Sequence, residues 1–190
     1  MRARLATMGL VLALALLAIG CGGSDSTSAV DGEGLQGAED FDAFDLYHAG
    51  AAVNGDQLEF SGLTSGSGDG VRRAWSFIYG TCDASSDAGC APPLEVQNWG
   101  ICQRFPALYP GSTPQTTTIR GAETTPAGGG LDVYTGRTTV VIYGKDPASV
   151  VPLLRRVGED EPAETLPPPV PGAIEGKLPC QAERLKRFGG

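Results

Sequence analysis

The stretch Leu131-Asp-Val-Tyr-Thr-Gly-Arg-Thr-Thr-Val-Val-Ile-Tyr143 decides how the rest of the chain is read. Two runs rich in strand-forming residues, Leu131–Tyr134 and Thr138–Tyr143, flank Thr135-Gly136-Arg137, where a glycine supplies turn geometry. The second run is apolar on both faces, with Val140 and Ile142 on one and Val141 and Tyr143 on the other. Such a strand belongs in the middle of a sheet, covered on each side.

Working outward, the same pattern recurs towards the N-terminus. Val71–Gly80 alternates Val71, Trp75, Phe77 and Tyr79 against Arg72, Ala74, Ser76 and Ile78. Leu94–Trp99 follows after Cys82 and Cys90, which bracket seven turn-forming residues. The pair reads as a hairpin whose loop is stapled by a Cys82–Cys90 disulfide. Phe44–Val53 and Gln57–Ser61 flank Asn54-Gly55-Asp56, a second hairpin, because Asn and Gly both tolerate positive φ. Thr64–Gly70 reads as a loop. Residues 105–130 carry four prolines and read as irregular, with one short strand at Thr116–Arg120.

Beyond Tyr143 a helix is expected, capped by Asp146 or Ser149 and ended by Gly158, with Val150, Leu153, Leu154 and Val157 as its apolar stripe. Pro152 lacks an amide proton, so the shorter of the possible helices is expected. Leu166–Pro171 reads as extended polyproline II, and Leu178–Phe188 as a short basic helix. The fold class is α+β: an antiparallel sheet with one packed helix, a disulfide-stapled hairpin loop and a short C-terminal helix.

The N-terminus gives an address. Arg2 and Arg4 precede a charge-free run, Met8–Ile19, too short to span a bilayer, and Ile19-Gly20-Cys21 closes it. The string Leu17-Ala18-Ile19-Gly20-Cys21 resembles the lipobox of bacterial lipoprotein precursors, with Ala18 where the motif favours Leu. The resemblance implies that Cys21 is acylated through its sulfur, palmitate being one such chain, and becomes the mature N-terminus. The alternative is an ordinary secretory signal with Cys21 as an odd thiol. The expected layout is a signal peptide at 1–20, an acidic Gly/Ser-rich tether at 21–43 and a β-rich domain at 44–158. An acidic and Pro-rich linker at 159–177 and a short helix at 178–190 complete it.

Losing the leader with Arg2 and Arg4 takes the formal charge from −8 to −10. An acidic surface repels phosphate backbones, so nucleic acid is not an expected partner. The four remaining cysteines, Cys82, Cys90, Cys102 and Cys180, make an even set in an exported chain, which reads as two disulfides. Three connectivities are open, of which Cys82–Cys90 with Cys102–Cys180 is favoured. The strings Tyr79-Gly80-Thr81-Cys82 and Gly89-Cys90-Ala91-Pro92-Pro93 resemble those of uncharacterised bacterial exported proteins, a likeness that implies no activity.

Catalytic signals are sparse. His48 is the only histidine and could act as a general base, although a lone His on a strand is more often simply packed. No Ser sits in a G-x-S-x-G setting, and neither metal-ligand spacing nor a cofactor motif is present in the sequence. Trp75, Phe77, Tyr79 and Trp99 could line a binding face, or pack as core. The expectation is a membrane-anchored envelope lipoprotein on the extracytoplasmic face, a non-enzymatic binding or structural module with an envelope protein as partner. A small-molecule binder feeding a transporter and a small hydrolase using His48 are the alternatives.

Overall fold

The computed structural model describes residues 35–65, 73–81, 91–100 and 116–171. The expected leader, Cys21, the other four cysteines and the expected C-terminal helix lie outside these residues.

The described chain is mostly antiparallel sheet with few helical residues. A four-residue helix α1 (Gln36–Glu39) precedes two short strands, β1 (Tyr47–His48) and β2 (Ala52–Val53). The longer strands follow: β3 (Asp56–Ser65), β4 (Arg73–Tyr79), β5 (Leu94–Gly100), β6 (Thr117–Ile119), β7 (Ala122–Ala127), β8 (Gly130–Thr135) and β9 (Thr138–Gly144). A helical turn α2 (Pro147–Val150), a 3-10 turn at Val151–Leu153 and strand β10 (Arg155–Arg156) close the order.

Among the described residues, eight strands form one sheet in the order β2-β3-β4-β5-β9-β8-β7-β6, with every neighbouring pair antiparallel. The chain therefore meanders out to β5, re-enters at the far edge as β6, and meanders back until β9 closes against β5. That places the doubly apolar run of β9 in the interior of the sheet, with Val140 and Ile142 0% and Val141 8% exposed.

Tight turns set the registers. Asn54 (φ 53°) and Gly55 (φ 96°) join β2 to β3, and Val53 pairs with Asp56 across them. Two consecutive positive φ angles match the right-handed twist of the flanking strands. Arg120 (φ 50°) and Gly121 (φ 79°) repeat the device between β6 and β7.

Strand β7 runs through Thr124, Thr125 and Pro126, within the stretch expected to be irregular. A strand proline is tolerated where its missing amide faces no partner, and β6 pairs with β7 only as far as Thr124. β3 also continues to Ser65, past the expected loop start at Thr64.

The inner face of the sheet carries Trp75, Phe77 and Tyr79 from β4, Leu94 and Val96 from β5, Leu131 and Val133 from β8, and Val140 and Ile142 from β9. Residues 45–50 lie across it, and a buried chain segment needs partners for its amides and carbonyls. Side chains of the sheet supply them. Asn98, fully buried, accepts from the Tyr47 amide at 2.7 Å and donates to the Tyr47 carbonyl at 2.9 Å. The Tyr79 hydroxyl accepts from the Ala49 amide at 2.8 Å and donates to the Gly50 carbonyl at 3.2 Å. The Thr138 hydroxyl donates to the Asp45 carbonyl at 2.7 Å.

The expected helix shrinks. α2 and the 3-10 turn end at Leu154, whose φ and ψ of −60° and 129° are extended. Pro152 has no amide to give the Ala148 carbonyl, so the α pattern cannot continue through it. Arg155 and Arg156, expected at a helix C-terminus, instead form β10 and pair with His48 and Tyr47. Val150, Val151 and Leu154 are buried, whereas Leu153, expected on the apolar stripe, is 37% exposed.

Both expected domain boundaries move outward. Ala38 and Phe41, placed by sequence in the tether, are buried in the core, and Phe41 packs on Trp75 with ring centroids 5.2 Å apart. Leu35, Ala38 and Phe41 recur at three-residue spacing, enough for one turn of chain to bury an apolar edge. The segment expected as a linker from 159 is a strap as far as Pro171, the last described residue. Leu166 enters the core, its amide donates to the Arg120 carbonyl at 2.7 Å, and the Thr135 hydroxyl donates to the Pro167 carbonyl at 2.9 Å. Arg120 gathers the region: its guanidinium donates to the carbonyls of Val151 (2.9 Å), Leu154 (2.8 Å) and Ala163. Proline-rich chain serves here because its own missing amides need no partners while its carbonyls still accept.

Candidate functional site

His48, the lone histidine, faces Arg155 across the β1–β10 pair and is 4% exposed. Its Nδ1 accepts the Gly50 amide at 3.1 Å, and its ring packs on Phe77 with centroids 5.6 Å apart. Burial pushes its pKa below 6.5, and the Arg155 charge adds to the effect. Among the described residues, no Ser, Thr or carboxylate hydrogen-bonds to it. Its ring is part of the packed interior beside Phe77.

Of the aromatic side chains weighed as a binding face, Trp75, Phe77 and Tyr79 are core. Trp99 lies on the opposite face, half-buried, and begins a different construction. Alternation along β5 points Glu95, Gln97 and Trp99 outward, with Leu94, Val96 and Asn98 inward. The three outward side chains are bonded in series. Trp99 Nε1 donates to Gln97 Oε1 at 3.0 Å, and Gln97 Nε2 donates to Glu95 Oε1 at 2.9 Å.

Tyr143 stands opposite Glu95 on β9. Its ring lies over Gly130 of β8, where a Cβ would sit 2.9 Å from Cδ1 and 3.1 Å from Cε1, so only glycine permits this ring position. Burial raises the Tyr143 pKa, as do the charges of Asp132 and Glu95, so the hydroxyl stays protonated and can donate at neutral pH. Pro92 and Pro93 wall the other side, and Lys145 follows the end of β9. Together they line an open groove of about 540 Å³.

A second cavity of about 240 Å³ lies between the β1–β10 pair and the strap. Its two arginines are engaged in part, and the buried Nε of Arg155 has no hydrogen-bond partner among the described residues. Arg156 pairs with Asp45 at 3.6 Å and Glu159 at 3.3 Å, and Arg155 donates to the Asp160 carbonyl. The outer groove is the candidate site, because Glu95 Oε1 and the Gln97 amide are held in place and Lys145 has no ion-pair partner among the described residues.

The sequence placed Trp99 and Tyr143 on strands but gave no reason to join them with Lys145, Glu95 and Gln97. The signal that could have found the group is the i, i+2, i+4 spacing of Glu95, Gln97 and Trp99, read beside a hairpin partner with an aromatic. Among the described residues, no three His, Cys, Asp or Glu side chains cluster to hold a metal ion. Compared with protein-family models, curated proteins and solved structures, the chain matches none at a significant level.

Proposed function

We propose that the chain is an exported lipoprotein, held on the extracytoplasmic face of a cell membrane by lipid on Cys21, and that it serves there as a non-enzymatic binding module. The observation that carries this reading is the string Leu17–Cys21 at the end of a basic and then apolar leader. Acyl chains contribute about 0.8 kcal/mol per buried methylene, so a doubly or triply acylated Cys21 holds firmly. Residues 22–34 separate the anchor from the first described residue, and a Gly/Ser-rich chain of that length reaches about 20 Å. The body would therefore work close to the lipid surface.

Two features support binding over catalysis. His48 is buried against Phe77, and the preorganised polar side chains lie on the outer groove instead. The groove is open rather than enclosed, which suits a ligand met at a surface, such as an envelope component, more than a solute swallowed for hand-over to a transporter.

The disulfide staples belong to the same proposal. Tyr79 pairs with Leu94, so Cys82 and Cys90 fall within one loop between adjacent strands, and an oxidising compartment would join them. Cys102 follows the end of β5 by two residues and would take Cys180, with the short basic helix at 178–190 held by that bond.

Cys21→Ser tests the anchor. The parent should sediment with membranes and lose its lipid mass on substitution, and a C21S product that still partitions with membranes overturns the reading. Non-reducing peptide mapping of the parent should recover the 82–90 and 102–180 pairs.

A further inference from the structure

We infer that the outer groove is a carbohydrate-binding site, taking a neutral sugar ring on the Tyr143 platform with its vicinal hydroxyls on Glu95 and Gln97. This rests on the reading of the chain as a binding module and names the ligand class of that module's groove.

The backbone narrows the choice first. β5 and β9 are interior strands paired on both edges, so their amides and carbonyls are taken and an extended peptide cannot add as a further strand. Recognition must come from side chains alone. Those side chains are matched donors and acceptors along one open groove. Glu95 offers a carboxylate, Gln97 keeps one amide proton beyond the one given to Glu95, the Tyr143 hydroxyl is protonated, and Lys145 adds an ammonium. Glu95 and Asp132 both place negative charge near Tyr143, and Lys145 offsets one of them, so an anionic ligand is disfavoured against a neutral polar one.

The platform supplies the rest. Gly130 leaves room for the Tyr143 ring against its backbone, and the same side chain lines the groove. The face of an aromatic ring carries negative potential, which attracts the polarised C–H bonds on the apolar side of a sugar ring. The bonds joining Trp99, Gln97 and Glu95 fix the polar groups before the ligand arrives, which lowers the ordering cost of binding. A polyol with one apolar face and a rim of hydroxyls meets all of these groups at once, whereas a wholly apolar ligand would strand Glu95 and Gln97 without water.

The test uses the full lipidated chain in a detergent whose headgroup is not a sugar, applied to an array of neutral and acidic oligosaccharides. The best neutral member is then titrated while indole emission is followed. The chain has two tryptophans, and Trp75 is buried in the core, so a change in emission reports Trp99 beside the groove. Saturable binding of a neutral oligosaccharide is expected, weakened at least tenfold by Tyr143→Ala and several-fold by Glu95→Gln. The variant Arg137→Ala, on the β8–β9 turn, should bind as the parent does. Tyr143→Phe keeps the platform in case Y143A disturbs the sheet, and should retain most of the affinity.

Binding confined to acidic sugars, no saturable binding, or full affinity in Y143A and E95Q would each overturn the inference. A chain that sediments with membranes yet binds no array member sinks the sugar and leaves the anchor standing. Sugar binding by a chain that is not acylated does the reverse.

Discussion

The two faces of the sheet are built from the same strands and do opposite things. The inner face is dry and finished: Phe77, Val96, Val133, Val140 and Ile142 are fully buried, and Asn98 and Tyr79 give up their polar atoms to the segment laid across them. The outer face is graded. Over β8 and β9 it buries Asp132, Tyr134 and Thr139, with the Tyr134 hydroxyl donating to Asp132 at 3.0 Å. At β5 and the end of β9, Glu95, Gln97, Trp99 and Tyr143 remain half-exposed. Buried polar groups complete the fold, and the half-exposed ones of the outer face line the proposed groove. That contrast separates core packing from the proposed binding surface within one residue step along β5.

The largest expected effect breaks the inner face. Phe77→Ala should destabilise the chain by about 3–5 kcal/mol in denaturant melts, because the cavity adds to the lost transfer energy. Its neighbours in sequence point the other way, so loss at Phe77 should far exceed loss at any groove residue.

Arg120→Ala comes next, at about 2–3 kcal/mol, since it leaves the carbonyls of Val151, Leu154 and Ala163 without their charged donor. Arg120 also has a φ of 50°, which favours glycine. Arg120→Gly should therefore lose less than Arg120→Ala, by about 1 kcal/mol, and equal losses would show that the turn carries no strain.

Acid sharpens the comparison further. The pKa of His48 is lowered below 6.5 in the folded chain, so the unfolded chain binds its proton first as pH falls. Stability is full above pH 6.5 and declines below it, by up to about 1.4 kcal/mol per pH unit until the folded-state value is passed. His48→Gln should flatten this part of the profile, and an unchanged slope would mean that other groups govern it.

The smallest effect on stability is expected at the groove. Tyr143→Ala should change the unfolding free energy by about 1 kcal/mol or less, as for other half-exposed side chains away from the core. A loss comparable to that at Phe77 would erase the distinction between the faces.

Local chemistry was legible where neighbours in sequence are neighbours in space. The Asn54-Gly55 hairpin, the alternation in β4 and β5 and the doubly apolar β9 could all be read directly, because side-chain period and turn geometry are properties of a few adjacent residues. What failed was decided at a distance. Pro126 made β7 look irregular, since only the short reach of β6 shows that its missing amide has no partner to lose. Arg155 and Arg156 looked like a helix end because nothing local reveals that His48 and Tyr47, more than a hundred residues earlier, wait to pair with them.

The candidate site divides the same way. Sequence by itself determined that Glu95, Gln97 and Trp99 share one side of a strand, because a two-residue period leaves no other choice. Only the tertiary structure decided that Tyr143 would stand beside them and that Gly130 would leave room for its ring. Strand order and register are settled by burial summed over the whole sheet, and no short stretch of chain contains that sum.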